Sequence, residues 1–174
     1  MQERSKRNSS AHKNRMKKSK RGLSKYSQTQ PIVRNGGFES GTLFPWSDVG
    51  DVTVRSGLPR RGSYYALILA SPSGSSSLSQ RITLDRSRSY LLSIYVARTS
   101  RQTTGTLVVS LSNSVLRPLI VPLSDIELVR YGYKLLNIPA NSLTTGNNIL
   151  RIELNGGGTT AVSVALDDVR IAPR

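Results

Sequence analysis

Residues able to carry out acid–base or nucleophilic catalysis are scarce in this chain of 174 residues. The one histidine, His12, lies in a stretch expected to be unfolded, and there is no cysteine, so a folded domain cannot hold a Ser-His-Asp or Cys-His arrangement. Asp167 and Asp168 are the remaining pair. Because adjacent residues of a strand point to opposite faces, these carboxylates would not flank a substrate as a glycosidase pair does. We therefore predict a protein that is not an enzyme.

Aromatic side chains are the candidates for contact with a ligand. Sugar rings stack on flat aromatic surfaces, which have an apolar body and a polar tip. Tyr95 falls in the outward set of its predicted strand, and Tyr64, Tyr131 and Tyr133 could share a face with it. Trp46 is the fifth candidate, although its place in the first loop also fits a buried anchor. For each tyrosine, a position in the core or at its rim is the alternative.

Basic residues are concentrated at the N-terminus. Residues 1–25 carry ten Lys or Arg and one acid, a net charge of +9, whereas residues 26–174 carry the other fifteen bases and nine acids, a net charge of +6. This basic arm could bind nucleic-acid phosphates, dock on an acidic partner or thread between subunits, or only keep the protein soluble. It has no interleaved aromatic residues for stacking on bases. The candidate polyanion-binding residues are Lys13, Arg15, Lys17, Lys18, Lys20 and Arg21.

The composition changes near residue 30. Residues 1–30 are polar and basic with few large apolar side chains, which predicts a disordered arm. Residues 31–174 show short apolar runs separated by Gly, Asn, Ser and Pro, which is typical of a single all-β domain. The arm contains no apolar run of a secretory signal, and no stretch is long enough to span a membrane. We therefore expect synthesis in the cytoplasm.

Apolar residues alternate with a period of two along about ten predicted strands. Between Tyr90 and Val96 every second residue, starting at Tyr90, is expected to face the core. The other predicted strands are Pro31–Asn35, Asp51–Arg55, Tyr64–Ala70, Ser77–Leu84, Gly105–Leu111, Leu116–Val121, Tyr133–Pro139, Asn148–Leu154 and Ala161–Ile171.

Two short segments interrupt this pattern. Ser124–Glu127 fits a capping box that would start a single helical turn, and it fits a polar loop equally well. In the last strand the apolar residues Val164 and Leu166 are two positions apart, and so are Val169 and Ile171, but Leu166 and Val169 are three apart. One extra residue is therefore present, and a bulge is expected at Asp167-Asp168.

Motifs at both ends of residues 32–171 resemble a known family. The opening Asn35-Gly36-Gly37-Phe38-Glu39-Ser40-Gly41, followed by Pro45-Trp46, and the closing Leu166-Asp167-Asp168-Val169-Arg170-Ile171 resemble the CenC-like carbohydrate-binding modules attached to bacterial glycoside hydrolases. The opening is also similar to that of small domains in spore-surface and filament proteins of spore-forming bacteria. The resemblance implies an antiparallel, galactose-binding-like jelly-roll β-sandwich of 8 to 10 strands, over residues 31–174.

The resemblance also implies a metal. In such modules a calcium ion commonly ties the first strand to the last, which assigns Glu39, Asp167 and Asp168 as the metal-binding residues of one structural Ca²⁺ site. Oxygen ligands of this kind suit Ca²⁺. The alternative is that the two aspartates only cap the bulge.

The favoured function is a non-catalytic binding or assembly module that binds glycan or copies of itself at a surface, coat or filament, such as a spore or particle surface. The main alternative is a capsid-like protein whose basic arm binds nucleic acid. A glycan-active enzyme is the least favoured alternative.

Overall fold

The structure, a computed structural model, describes residues 30–174. These residues form ten β-strands and one short 3₁₀ turn, Leu123–Asp125. The strands are β1 (Ser47–Val49), β2 (Asp51–Arg55), β3 (Tyr65–Ala70), β4 (Ser75–Thr83), β5 (Tyr90–Arg98), β6 (Gly105–Leu111), β7 (Leu119–Pro122), β8 (Gly132–Ile138), β9 (Asn147–Gly156) and β10 (Val162–Pro173).

The strands form two five-stranded sheets. Sheet I has the order β1-β4-β9-β6-β7 and sheet II the order β2-β3-β10-β5-β8. All pairings between these strands are antiparallel. The predicted all-β jelly-roll sandwich is therefore confirmed.

Alternation decides which side chains reach the core between the sheets. The set of β5 predicted to face inward is buried, and Tyr95 belongs to the half-buried outward set. Ala97, expected to be outward, is also buried, because it lies under a second apolar cluster that contains Tyr65 and Tyr131 on the outer face of sheet II. The buried inward residues of β5 are Tyr90, Leu92, Ile94 and Val96.

The segment before β1 packs on the core without forming a strand, so the predicted strand at Pro31–Asn35 is wrong. Val33 is buried, but the chain turns directly after it: the Phe38 N–H donates to the Asn35 carbonyl over 3.2 Å, and Asn35 has a φ of 49°. Sequence reasoning missed β1, because its three exposed residues show no apolar alternation.

The 3₁₀ turn begins one residue before the predicted Ser124–Glu127. Its first residues receive no capping hydrogen bond from a side chain, and the Ser124 hydroxyl is instead 3.1 Å from Asp125 Oδ1. A single turn is present, but the capping box is not.

The predicted bulge interrupts β10. Asp167 pairs with Tyr95, and the next paired residue, Arg170, lies opposite Ser93. Two residues of β10, Asp168 and Val169, therefore stand opposite the single Ile94, with Asp168 at a φ of 49°. The bulge turns the following residues so that Val169 is buried, as the apolar pattern predicted.

No helix within residues 30–174 has the length and apolar character needed to cross a membrane.

Candidate functional site

The outer face of sheet II brings together three of the five predicted ligand-binding residues. Tyr95 on β5 is the direct partner of Tyr133 on β8, and their ring centroids are 6.0 Å apart at an interplanar angle of 50°. Tyr131, two residues before Tyr133, packs in the second apolar cluster on the same face. We call Tyr95, Tyr131 and Tyr133 the tyrosine face.

The three tyrosines differ in exposure. Tyr133 is 62% exposed, and Leu135, the next outward residue of β8, is 45% exposed. Tyr131 is held from both ends: its ring lies in the cluster and its hydroxyl donates to the Leu58 carbonyl over 2.8 Å. Burial raises the pKa of the Tyr131 hydroxyl, and the nearby charge of Asp167 raises it further. Tyr133 is therefore the side chain available for stacking, whereas Tyr131 positions the loop that contains Leu58.

That loop, residues 56–64 between β2 and β3, lies over the tyrosine face. Its Arg60 guanidinium carbon is 3.5 Å from the centroid of the Tyr95 ring, a cation–π contact. The same guanidinium pairs with the Asp168 carboxylate, and the Arg60 backbone N–H donates to Asp167 Oδ2 over 2.8 Å. One face of Tyr95 is thus covered by Arg60, so Tyr95 supports the site more than it stacks on a ligand.

The acidic residues predicted to bind a metal hold this loop. Both Glu39 carboxylate oxygens accept a bond from the Ser63 N–H, at 3.0 and 3.1 Å, and Oε1 also accepts from Tyr64 N–H. A Cβ on Gly62, which has a φ of +71°, would lie 2.3 Å from the Glu39 carboxyl carbon. Only glycine therefore suits this position.

Asp167 is buried below the loop. Its carboxylate accepts bonds from the backbone N–H groups of Arg60, Arg61 and Asp168. Burial raises its pKa, although these three donors act in the opposite direction. Its neighbour Asp168 instead forms ion pairs with the guanidinium groups of Arg60 and Arg170.

The fit of these residues to a calcium ion is partial. A Cβ built on Gly37 would lie 3.6 Å from Asp167 Oδ1 and 3.8 Å from Glu39 Cγ, so Glu39 and Asp167 approach the same stretch of backbone. Asp168, in contrast, already has two cationic partners. Among residues 30–174 no group of three or more His, Cys, Asp or Glu side chains is close enough to hold a metal. Glu39 and Asp167 are the two residues that would have to hold calcium, and their carboxylate oxygens already accept backbone N–H groups.

The other two predicted ligand-binding residues lie outside the tyrosine face. Trp46 is 5% exposed, stacks at 6.1 Å from Phe38, and donates from its indole N–H to the Asn35 carbonyl over 3.2 Å. It is the buried anchor of the first loop, and it cannot stack on a ligand. Tyr64 is 36% exposed and lies near Gly41 at the far end of the loop.

Tyr133 is the open part of the tyrosine face, since the loop covers Tyr95 and holds Tyr131. A cavity of about 350 Å³ is lined by Pro31, Ile32, Tyr90 and Pro173, and a smaller one of about 140 Å³ is lined by Arg81, Asn113 and Asn148. Neither is lined by Tyr95, Tyr131 or Tyr133. We therefore locate the candidate site by its exposed aromatic residue and not by a cavity.

Sequence reasoning missed Arg60 and Leu135. Leu135 could have been found from the alternation that placed Tyr133 outward. Arg60 follows Pro59 in a loop, and nothing in the sequence signals that it meets Asp168, which is 108 positions away. The predicted polyanion-binding residues, from Lys13 to Arg21, lie outside the described residues, as does the predicted arm apart from Gln30.

Comparisons with solved structures show the fold. The carbohydrate-binding module TmCBM61, in complex with β-1,4-galactotriose, has a TM-score of 0.66 and 19% identity, over 84% of this chain and 100% of that one. A second module of family 16 has a TM-score of 0.61 and 15% identity, over 82% and 99%. The enzymatically active domain of bacteriophage CBA120 tailspike protein 4 has a TM-score of 0.60 and 15% identity, over 83% of this chain and 21% of that one.

No family model and no curated protein matches the sequence. The broader prediction, a β-sandwich similar to those of carbohydrate-binding modules, is confirmed. The CenC-like family itself stays a prediction.

Proposed function

We propose that this protein is a non-catalytic module that binds glycan on the tyrosine face. The observation that carries the proposal is the paired Tyr95 and Tyr133 on the outside of sheet II, with Tyr133 62% exposed. An exposed phenol ring beside the apolar Leu135 gives a sugar an apolar surface with a polar edge. The similarity to modules that are named as carbohydrate-binding supports this function.

The rigidity of the face also supports binding. The hydroxyl of Tyr131 fixes the loop at Leu58, and Arg60 is fixed by the two aspartates of the bulge. A surface that is ordered before binding loses little conformational entropy when a ligand arrives.

The location of the module is a further part of the proposal. A role at a surface, coat or filament is supported by the similarity of the opening Asn35–Gly41 to the domains of spore-surface and filament proteins. A capsid-like role remains the alternative, and it is supported by the charge of residues 1–25.

The test is binding to a panel of insoluble and soluble polysaccharides by pull-down and affinity electrophoresis. We expect Tyr133→Ala to lower affinity by roughly tenfold or more, as for a stacked aromatic residue at the centre of a site, without changing the melting temperature. Phe44→Ala is the matched control, because Phe44 is 79% exposed and lies in the loop before β1. Equal retention of the wild type, Tyr133→Ala and Phe44→Ala proteins would rule out the tyrosine face as the glycan site.

A further inference from the structure

Arginine side chains line one flank of the tyrosine face. Arg170 on β10 lies opposite Ser93, between buried neighbours, so its side chain points to the outer face of sheet II, two residues along β5 from Tyr95. The Arg170 side chain is 64% exposed. Arg60 lies directly over Tyr95.

A third arginine extends the flank. The Arg174 guanidinium donates to Asn137 Oδ1 over 3.2 Å, and Asn137 is the outward residue of β8 that follows Leu135. The four residue steps from Arg170 to Arg174 correspond to about 13 Å of extended chain. Charged groups therefore follow the direction of β10 beside the row formed by Tyr133, Leu135 and Asn137.

The carboxylates beside Tyr95 do not neutralise these arginines. Asp168 is shared by Arg60 and Arg170, so two guanidinium groups have one carboxylate. Asp167 is buried under the loop, where it accepts backbone N–H groups.

From this arrangement we propose that the ligand of the tyrosine face is an acidic glycan, whose carboxylate or sulfate groups bind Arg170 and Arg174 while its sugar rings lie against Tyr133. This inference rests on the proposed glycan-binding function and specifies its ligand class. Guanidinium groups bind oxyanions with two parallel hydrogen bonds, which are stronger than bonds between neutral groups. One guanidinium nitrogen of Arg170 donates to Asp168. Because the side chain is exposed, its other N–H groups are available to a ligand.

The experiment uses the full chain with the six predicted polyanion-binding residues of the arm changed to Gln in every protein, so that the arm does not mask the flank, and compares charged polymers with uncharged counterparts. Polygalacturonate is compared with its methyl ester, and dextran sulfate with dextran, at about 0.15 M ionic strength, where long-range attraction is screened. The tested variant is Arg170→Ala with Arg174→Ala. The matched control is Arg81→Ala with Arg117→Ala, which removes the same charge from exposed positions elsewhere.

We expect this protein, with no change in the domain, to bind at least one charged polymer roughly tenfold more tightly than its uncharged counterpart. The Arg170/Arg174 variant should lose most of that preference, and the Arg81/Arg117 control should stay within about twofold of the protein with an unchanged domain. Dependence on these arginines with polygalacturonate identifies carboxylate as the anionic group, and dependence with dextran sulfate alone identifies sulfate.

Other outcomes overturn the inference. An equal loss in the control would show that net charge, and not this flank, binds the polymer. Binding of uncharged polymers that is lost in Tyr133→Ala but unchanged in the Arg170/Arg174 variant would refute the acidic ligand and leave the proposed function intact. If no polymer responds to Tyr133→Ala, both proposals fail.

Discussion

Arg60 shows how one residue connects the parts of the site. Its guanidinium covers the Tyr95 ring and pairs with Asp168, while its backbone N–H is bound by Asp167. The side chain is 23% exposed, so these contacts are partly shielded from water. A single arginine therefore joins the loop between β2 and β3 to the bulge of β10.

Replacing this arginine tests its structural weight. We expect Arg60→Ala to lower the free energy of unfolding by roughly 1–3 kcal/mol. The Asp168 carboxylate would lose one of its two cationic partners, and the Tyr95 ring would lose its cation–π contact. Urea unfolding monitored by the fluorescence of the buried Trp46 measures this change. Arg88→Ala is the control, since Arg88 pairs with Asp85 at the exposed surface, where such pairs contribute little. A similar small effect for both variants would contradict the role given to Arg60.

At the scale of elements, the segment before β1 is fastened to the bulge by close backbone contact. The Val169 N–H donates to the Gly36 carbonyl over 2.9 Å, and a Cβ on Gly36 would lie only 2.0 Å from the Val169 oxygen. Phe38 and Trp46 fill the space beneath, with Phe38 fully buried. This contact explains why a segment without a strand is still part of the core.

We expect Gly36→Ala to destabilise the fold by roughly 2 kcal/mol or more, because the backbone of β10 must shift to accept the methyl group. Gly132→Ala is the matched control: a Cβ there would have no heavy atom within 4 Å. Melting temperatures of the two variants give the comparison. If the Gly36→Ala protein is as stable as the Gly132→Ala protein, the backbone contact between Gly36 and Val169 is not as tight as described.

The predicted calcium site, Glu39 and Asp167, lies next to this contact, near Gly37. If Glu39 and Asp167 hold Ca²⁺, the ion should raise the melting temperature by binding only the folded state, and a chelator should reverse the effect. Glu39→Gln should abolish the response, whereas Asp48→Asn, a change at an exposed carboxylate in β1, should leave it unchanged. If the wild type has the same melting temperature with chelator and with about millimolar Ca²⁺, the protein does not bind calcium at this site.

Elements that alternate could be predicted from the sequence, and contacts between distant segments could not. The inward residues of β5 were predicted correctly from alternation alone, and so was the bulge in β10, because each depends on local burial. The position of Arg60 over Tyr95 depends on how a loop folds across three strands, which no local pattern specifies. The strand predicted at Pro31–Asn35 failed for the opposite reason: a buried Val33 mimics alternation in a segment that turns.

At the scale of the whole molecule, charge is divided between two regions with different chemistry. Residues 1–25 have a net charge of +9 without interleaved aromatic residues, whereas the domain places Arg60 over Tyr95 and Arg170 on the same face of sheet II. Phosphates along a nucleic acid need only dense cationic charge, while a glycan needs an aromatic surface as well. The capsid-like alternative and the glycan-binding proposal therefore concern different residues and can be separated in one protein.

Substituting the six predicted polyanion-binding residues with Gln separates them. We expect the variant to lose salt-dependent binding to double-stranded DNA, because the logarithm of affinity falls with that of salt by roughly 0.9 for each phosphate contact, and six fewer contacts make the slope much shallower. The part of glycan binding that Tyr133→Ala abolishes should remain. The Arg170/Arg174 variant should keep the salt-dependent DNA binding and lose its preference for charged glycan, since Arg170 and Arg174 lie beside the tyrosine face. DNA affinity measured between about 50 and 200 mM salt for both variants gives the answer. If the arm variant keeps the full slope, DNA contacts lie on the domain, and the capsid-like alternative loses its argument from the arm.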